Sequence, residues 1–199
     1  MKRKLKIEIG LAVLLLLIAL FGSFLAPYDP LKVNYDFSLQ PPSFLHIFGT
    51  DKLGRDVFSR ILCGAKTSFG LTFLMLFLIV FIGMIVGLIA GLSNDKVESF
   101  FNNIINGLLA FPDTIFAIAI VGIVGAGLFN TVFALALIWW TKYARLTLAL
   151  VKQEKKKNYL VISKMSGVPP LQRIIRYLLP NILSQILVTA FLDIGNMMI

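Results

Sequence analysis

An all-α, polytopic membrane protein is predicted by three observations. Of the 199 residues, 58% are apolar and only 15% charged, against roughly half and a quarter in soluble domains. The apolar residues also gather into uncharged runs longer than the ~20 residues that a bilayer-spanning helix needs. The third observation is the placement of the basic residues, which lie mainly between those runs. Single Cys63 and single His46 exclude a disulfide scaffold, a cysteine-cluster metal site and a polyhistidine ligand set.

Taken in order, the charges mark a single transmembrane domain, 1–199, with about five crossings. A basic flank (Lys2, Arg3, Lys4, Lys6) leads into crossing one, 7–28. A signal peptide is the competing reading, but Phe24 stands where a small residue is wanted and Pro27 follows the candidate cut. The polar, turn-rich stretch 29–66 reads as an extracytoplasmic loop, and 67–92 as crossing two. Glu98 and Lys142 enclose 43 residues with one charge, Asp113. At ~1.5 Å per residue they would extend about 65 Å, two bilayer cores. They must fold back, and Gly125 to Asn130 permits the reversal, giving crossings three, 103–124, and four, 128–150. Loop 152–176 then leads into crossing five, 178–199.

With the N-terminus inside, fourteen of the nineteen Lys and Arg residues fall on the cytoplasmic side, as the positive-inside tendency requires. The net charge of +9 therefore needs no nucleic-acid partner. Five crossings leave the C-terminus outside, in apolar sequence without a basic flank; either the last helix ends bare in the outer leaflet, or the chain is a fragment whose next crossing returns inward.

Gly83, Gly87 and Gly91 repeat every four residues and form a smooth stripe for close helix packing, within the chain or against another subunit. Lys155, Lys156 and Lys157 read as the solvated end of crossing four or as a lipid-binding cluster. No phosphate-cradling Gly-x-x-x-x-Gly-Lys-[Ser/Thr] run is present, so if transport here is powered by ATP, another chain must bind it. Asp113 and Asp193 sit in apolar runs, where a carboxylate needs a partner or a water-filled path. Asn196 lies about one helical turn beyond Asp193. These three are candidates to line a cargo route, and Met197 and Met198 are core filler.

The loop from Asn158 to Asn181 joins a short helix, a break at Gly167 and a second helix begun by Pro169 and Pro170. It resembles the cytoplasmic coupling loop of binding-protein-dependent ABC importer permeases, whose glycine is followed about a dozen residues on by Leu-Pro-Asn, here Leu179, Pro180 and Asn181. The resemblance implies that Tyr159, Ser163, Lys164, Gly167 and Arg173 couple to an ATPase, with Ser163 and Lys164 facing it. Val161, Ile162 and Ser163 replace the family's Glu-Ala-Ala, so that glutamate's salt bridge does not carry over. A second stretch, Gly49-Thr50-Asp51 with Gly54-Arg55-Asp56 and Ser59-Arg60, looks like the signature of C-type permeases of dipeptide, oligopeptide and nickel importers. Leu109 to Pro112 and Tyr143 to Arg145 agree with it.

The resemblance implies a type I importer fold lacking its last helix, in a prokaryotic cell membrane. The implied partners are a second permease subunit, two ATPase subunits holding ATP and Mg, an extracytoplasmic binding protein and membrane lipid. No cofactor belongs to the chain itself. Residues Leu192 to Met198 are more similar to nickel-type members, so the expected cargo is nickel or a metal chelate, with dipeptides or oligopeptides as the alternative. Imidazoles are missing from the crossings, and no metal ligands are assigned. Two other classes are weighed: a membrane enzyme built from His46, Asp51, Asp56 and Ser59, and a scaffold that does not transport.

Overall fold

The computed structural model describes residues 2–198, without the side chains of Lys2, Arg3, Leu5, Ile9, Ala12 and Leu15. Its regular elements are helices, with no β-strand among the described residues. The helices are α1 (Lys2–Leu25), α2 (Val57–Leu92), α3 (Asp95–Leu109), α4 (Asp113–Val124), α5 (Leu128–Lys155), α6 (Asn158–Met165), α7 (Pro170–Arg173) and α8 (Leu179–Met197). A 3₁₀ turn, Tyr35–Phe37, lies in the loop after α1, and a π turn, Ile174–Leu178, joins α7 to α8. Two compact units, Met1–Leu71 and Thr72–Ile199, share the chain, and α2 runs through the boundary.

Three helices are long and apolar enough to cross a bilayer among the described residues: α2, α5 and the continuous stretch Pro170–Met197; α3 and α4 together make a fourth if the bent pair is one span. Part of crossing one, 7–28, lies outside the described side chains; within α1 the described apolar stretch is Leu16–Leu25.

The segment expected as crossing three is not one helix. α3 and α4 meet at 83°, because Pro112 disfavours helical backbone at Phe111 and cannot donate to the preceding turn. Asn94 caps α3 by accepting from the Val97 amide at 3.1 Å. Gly125, at φ +100°, ends α4, and the Asn130 side chain donates to its carbonyl at 2.9 Å. The turn therefore lies where the glycines and asparagine placed it.

The second unit is held by α2, α5 and α8. Ile79, Tyr143, Val151, Ile182 and Ile186 are wholly buried in one cluster. The opposite face of α2 exposes Phe77, Phe81, Ile85 and Ile89, as suits a helix whose other neighbour is lipid. A Cβ on Gly83 would fall 2.6 Å from the Trp140 carbonyl oxygen, and one on Gly87 2.5 Å from Thr147 Cβ. Both lie under any real Cβ contact, so the glycine stripe lets the α2 backbone lie directly on α5.

Pro180 explains the π turn. Its ring would clash with the carbonyl four residues back, and the helix widens so that the Leu179 amide reaches Ile174 instead. The Asn181 side chain donates to the Tyr177 carbonyl at 2.6 Å.

Candidate functional site

The first unit carries the polar loop, and its signature residues bind one another. Asp51 accepts from the Leu53 and Arg55 amides at 2.8 and 3.0 Å, from Arg55 Nε at 2.8 Å, and from Arg60. The Arg55 side-chain hydrogen bond outweighs partial burial and holds the Asp51 carboxyl far below its usual range. Arg55 thus pairs with Asp51 rather than Asp56. Asp56 caps α2, accepting from the Ser59 amide at 2.8 Å, and meets His46 Nδ1 at 2.9 Å. Burial would raise its pKa; the Ser59 and His46 contacts outweigh that and lower it. Gly54 has φ +69°, and a Cβ there would sit 1.7 Å from the Asn34 carbonyl oxygen. The Ser59 hydroxyl accepts from the Tyr28 amide at 3.1 Å, which gives it a structural use. Asp56 thus joins His46 and Ser59, while Asp51 is held separately by Arg55 and Arg60, and all four residues have a structural use in the loop.

In the second unit a cavity of about 590 Å³ opens between the α3–α4 break, α5 and α8. Asp113, Asp193 and Asn196 all line it, together with Trp139 and Lys142. The Asp113 carboxylate accepts from the Thr114 amide at 2.8 Å in the first turn of α4, where the helix dipole favours a negative charge. Asp193 is 5% exposed. Lys142 Nζ donates to both its oxygens, at 2.8 and 2.7 Å, and Tyr143 Oη donates at 2.8 Å.

Of the two alternatives open for Asp193, a partner or a water-filled path, it has the partner and still lines the cavity. One expectation changes: Lys142, counted among the cytoplasmic basic residues, lies at mid-helix in α5 across from Asp193. The signal was the 51-residue separation of two opposite charges in apolar sequence, each of which would be costly alone. Without Lys142 the remaining basic residues still favour one side.

The segment expected to couple to an ATPase forms α6, closed by a Schellman motif. Gly167, at φ +73°, donates to the Lys164 carbonyl at 3.2 Å, and Val168 to that of Ser163 at 3.1 Å. Tyr159 Oη donates to Glu154, itself 4% exposed and paired with Lys157 Nζ at 2.6 Å. Burial and that carboxylate push the Tyr159 hydroxyl up to about 12. Ser163 is buried and donates to the Leu160 carbonyl at 2.8 Å, so it faces its own chain rather than outward. Lys164 is exposed. Ile162 and Met165, 60% and 82% exposed, are the outward residues that the sequence reading passed over. Their apolar character hid them among core positions.

Apolar helices long enough to cross a bilayer, one pair of them broken, with a lined cavity and a short loop helix, define the class of polytopic membrane proteins. Residues 83–199 match the family model of the binding-protein-dependent transport system inner membrane component, and 9–42 that of the N-terminal TM domain of oligopeptide transport permease C. The chain belongs to this family of ABC importer permeases. It is 37% identical over 195 residues to the di/tripeptide transport system permease protein DppC of Pseudomonas aeruginosa, covering 94% of this chain and 64% of that protein. It is 33% identical over 186 residues to the nickel transport system permease protein NikC of Escherichia coli K12, covering 94% and 67%. With the dipeptide transport system permease protein DppC of Escherichia coli K12 the identity is 36% over 190 residues, covering 92% and 63%. The chain thus spans about two thirds of the length of these relatives.

Proposed function

We propose that the chain is a transmembrane permease subunit of an ATP-driven importer that passes short peptides inward through the cavity lined by Asp113, Lys142, Asp193 and Asn196. The hydrogen-bonded pair of Lys142 and Asp193 carries the reading. A carboxylate already neutralised by a tethered ammonium gives a bare metal cation little attraction, and Lys142 repels it. A zwitterion is better matched, its carboxylate to Lys142 and its ammonium group to Asp113 or Asp193.

The ATPase subunits, with their ATP and Mg, act from the side of α6, which presents Ile162 and Met165 to them. Gly167 sets the turn that aims this helix. A second permease subunit completes the path, and a binding protein delivers the cargo on the opposite face. The N-terminus and the α6–α7 loop are cytoplasmic in this arrangement.

A metal-chelate cation is the second reading. It is favoured by the two acids against one base on the cavity wall and by the likeness to a nickel permease. Uptake of radiolabelled dipeptide and of nickel, in vesicles holding the assembled importer, separates the two. Under the peptide reading wild type takes up dipeptide, and Lys142→Met lowers that uptake about tenfold, the loss of one charge-assisted contact. Nickel uptake that rises in Lys142→Met would replace the peptide reading with the chelate one.

A further inference from the structure

A second cavity, of about 570 Å³, lies between the ends of α2 and α5, α6 and the α7–π turn. Lys155, Lys164 and Arg173 line it, with Leu92, Leu160 and Leu178 among its apolar walls and no acid on its surface. Arg173 Nε is buried and meets no acceptor among the described residues. Lys155 Nζ spends one proton on the Gly91 carbonyl at 3.0 Å, leaving two. Glu154, next to Lys155, is held by Lys157 and Tyr159 and does not line the cavity. Lys155 and Lys164 are exposed and solvated; the Arg173 Nε–H, buried without an acceptor, is the group that an entering anion would satisfy.

We propose that this cavity binds the headgroup phosphate of an anionic phospholipid from the cytoplasmic leaflet. A phosphate answers the three cations and the Arg173 Nε–H donor. The walls decide for a lipid over an acidic side chain. Leu92, which lines the cavity, ends α2 and is 38% exposed, so the cavity wall includes the end of a helix apolar and long enough to cross a bilayer, where acyl chains run. Basic pockets between helix ends on the cytoplasmic side suit such headgroups. The occupant would brace α6 from behind, through Lys164, and so tie the coupling helix to the leaflet. The assignment rests on the proposed orientation of the α6–α7 loop but not on the cargo.

Native mass spectrometry of the full chain in detergent, with phosphatidylglycerol, phosphatidylcholine or inorganic phosphate added, tests it. One phosphatidylglycerol should be retained per chain, with phosphatidylcholine and phosphate held at least about tenfold more weakly. Arg173→Gln and Lys164→Gln should each weaken phosphatidylglycerol about tenfold, the loss of one charge-assisted contact. Equal retention of the two lipids, phosphate bound as tightly as lipid, or unchanged binding in both variants overturns the proposal. So does release of all lipid when the partner ATPase is added, which would give the cavity to a protein carboxylate. Because binding is read on the chain alone, failed peptide uptake would overturn the cargo reading and leave this result standing.

Discussion

At the scale of single residues, the second unit depends on one buried carboxylate and what satisfies it. Lys142→Met leaves Asp193 with Tyr143 as its remaining donor. Stranding a buried charge costs about 3 kcal/mol or more, and Tyr143 brings the expected loss toward about 2 kcal/mol. The double change Lys142→Met, Asp193→Asn should recover most of it, since no charge is then left buried. Thermal unfolding in detergent, followed by tryptophan fluorescence from Trp139 and Trp140, checks both; a double variant no more stable than the single one would show that the pair does not act as a unit. In the first unit, Asp51 has a depressed pKa, so its contribution is present above the unfolded carboxyl value, about 3.9, and is lost as pH falls toward the folded value. Protection of the amides of residues 49–56, taken relative to their intrinsic exchange rate at each pH, should therefore hold down to about pH 4 and fall only below it. Asp51→Asn should weaken that dependence, leaving the part that Asp56 carries.

Among the elements, the contact of α2 with α5 is governed by what lies above each glycine. Gly87→Leu puts its Cβ 2.5 Å from Thr147 Cβ and 2.6 Å from the Ala144 carbonyl oxygen, and overpacking of this kind costs about 1–3 kcal/mol or more. Gly64 has open space above it, so Gly64→Ala is the matched control. The yield of folded, monodisperse chain should fall sharply for Gly87→Leu and stay level for Gly64→Ala; equal yields would remove the stripe from the packing. Gly167 tests the coupling helix differently. Nothing lies within 4 Å of a Cβ there, but φ is +73°. Gly167→Val should therefore act through backbone strain of about 1–2 kcal/mol and uncouple ATP hydrolysis from uptake in the assembled importer. Gly167→Asn, which tolerates that conformation better, should uncouple less. Equal coupling in all three chains would remove Gly167 from the turn that aims α6.

Across the whole molecule, the hydrophobic runs made the helical class legible, because a bilayer demands length and freedom from charge and little else. Legible too were the Gly167 break and the three polar residues, Asp113, Asp193 and Asn196, now found on one cavity. The 83° break at Pro112 was hidden inside a continuous apolar run. Hydropathy registers solvent preference and not direction, although the proline itself was visible. The Lys142–Asp193 bond was missed because it joins residues far apart in sequence, and Lys142 sat close enough to Arg145 to pass for a loop flank. Ser163 was assigned outward by position in the loop; its burial follows from α6 lying on the chain's own helices, which no local pattern records.

The central claim is that cargo passes the Lys142–Asp193 pair, and Asn196, exposed on the same cavity, reports on it most directly. In an assembled importer carrying Cys63→Ser and Asn196→Cys, the rate of labelling by a small hydrophilic thiol reagent would be measured during ATP hydrolysis, with and without dipeptide. The account expects dipeptide to slow labelling several-fold and nickel to leave it unchanged. Labelling at one rate with and without dipeptide, or protection by nickel alone, would contradict it.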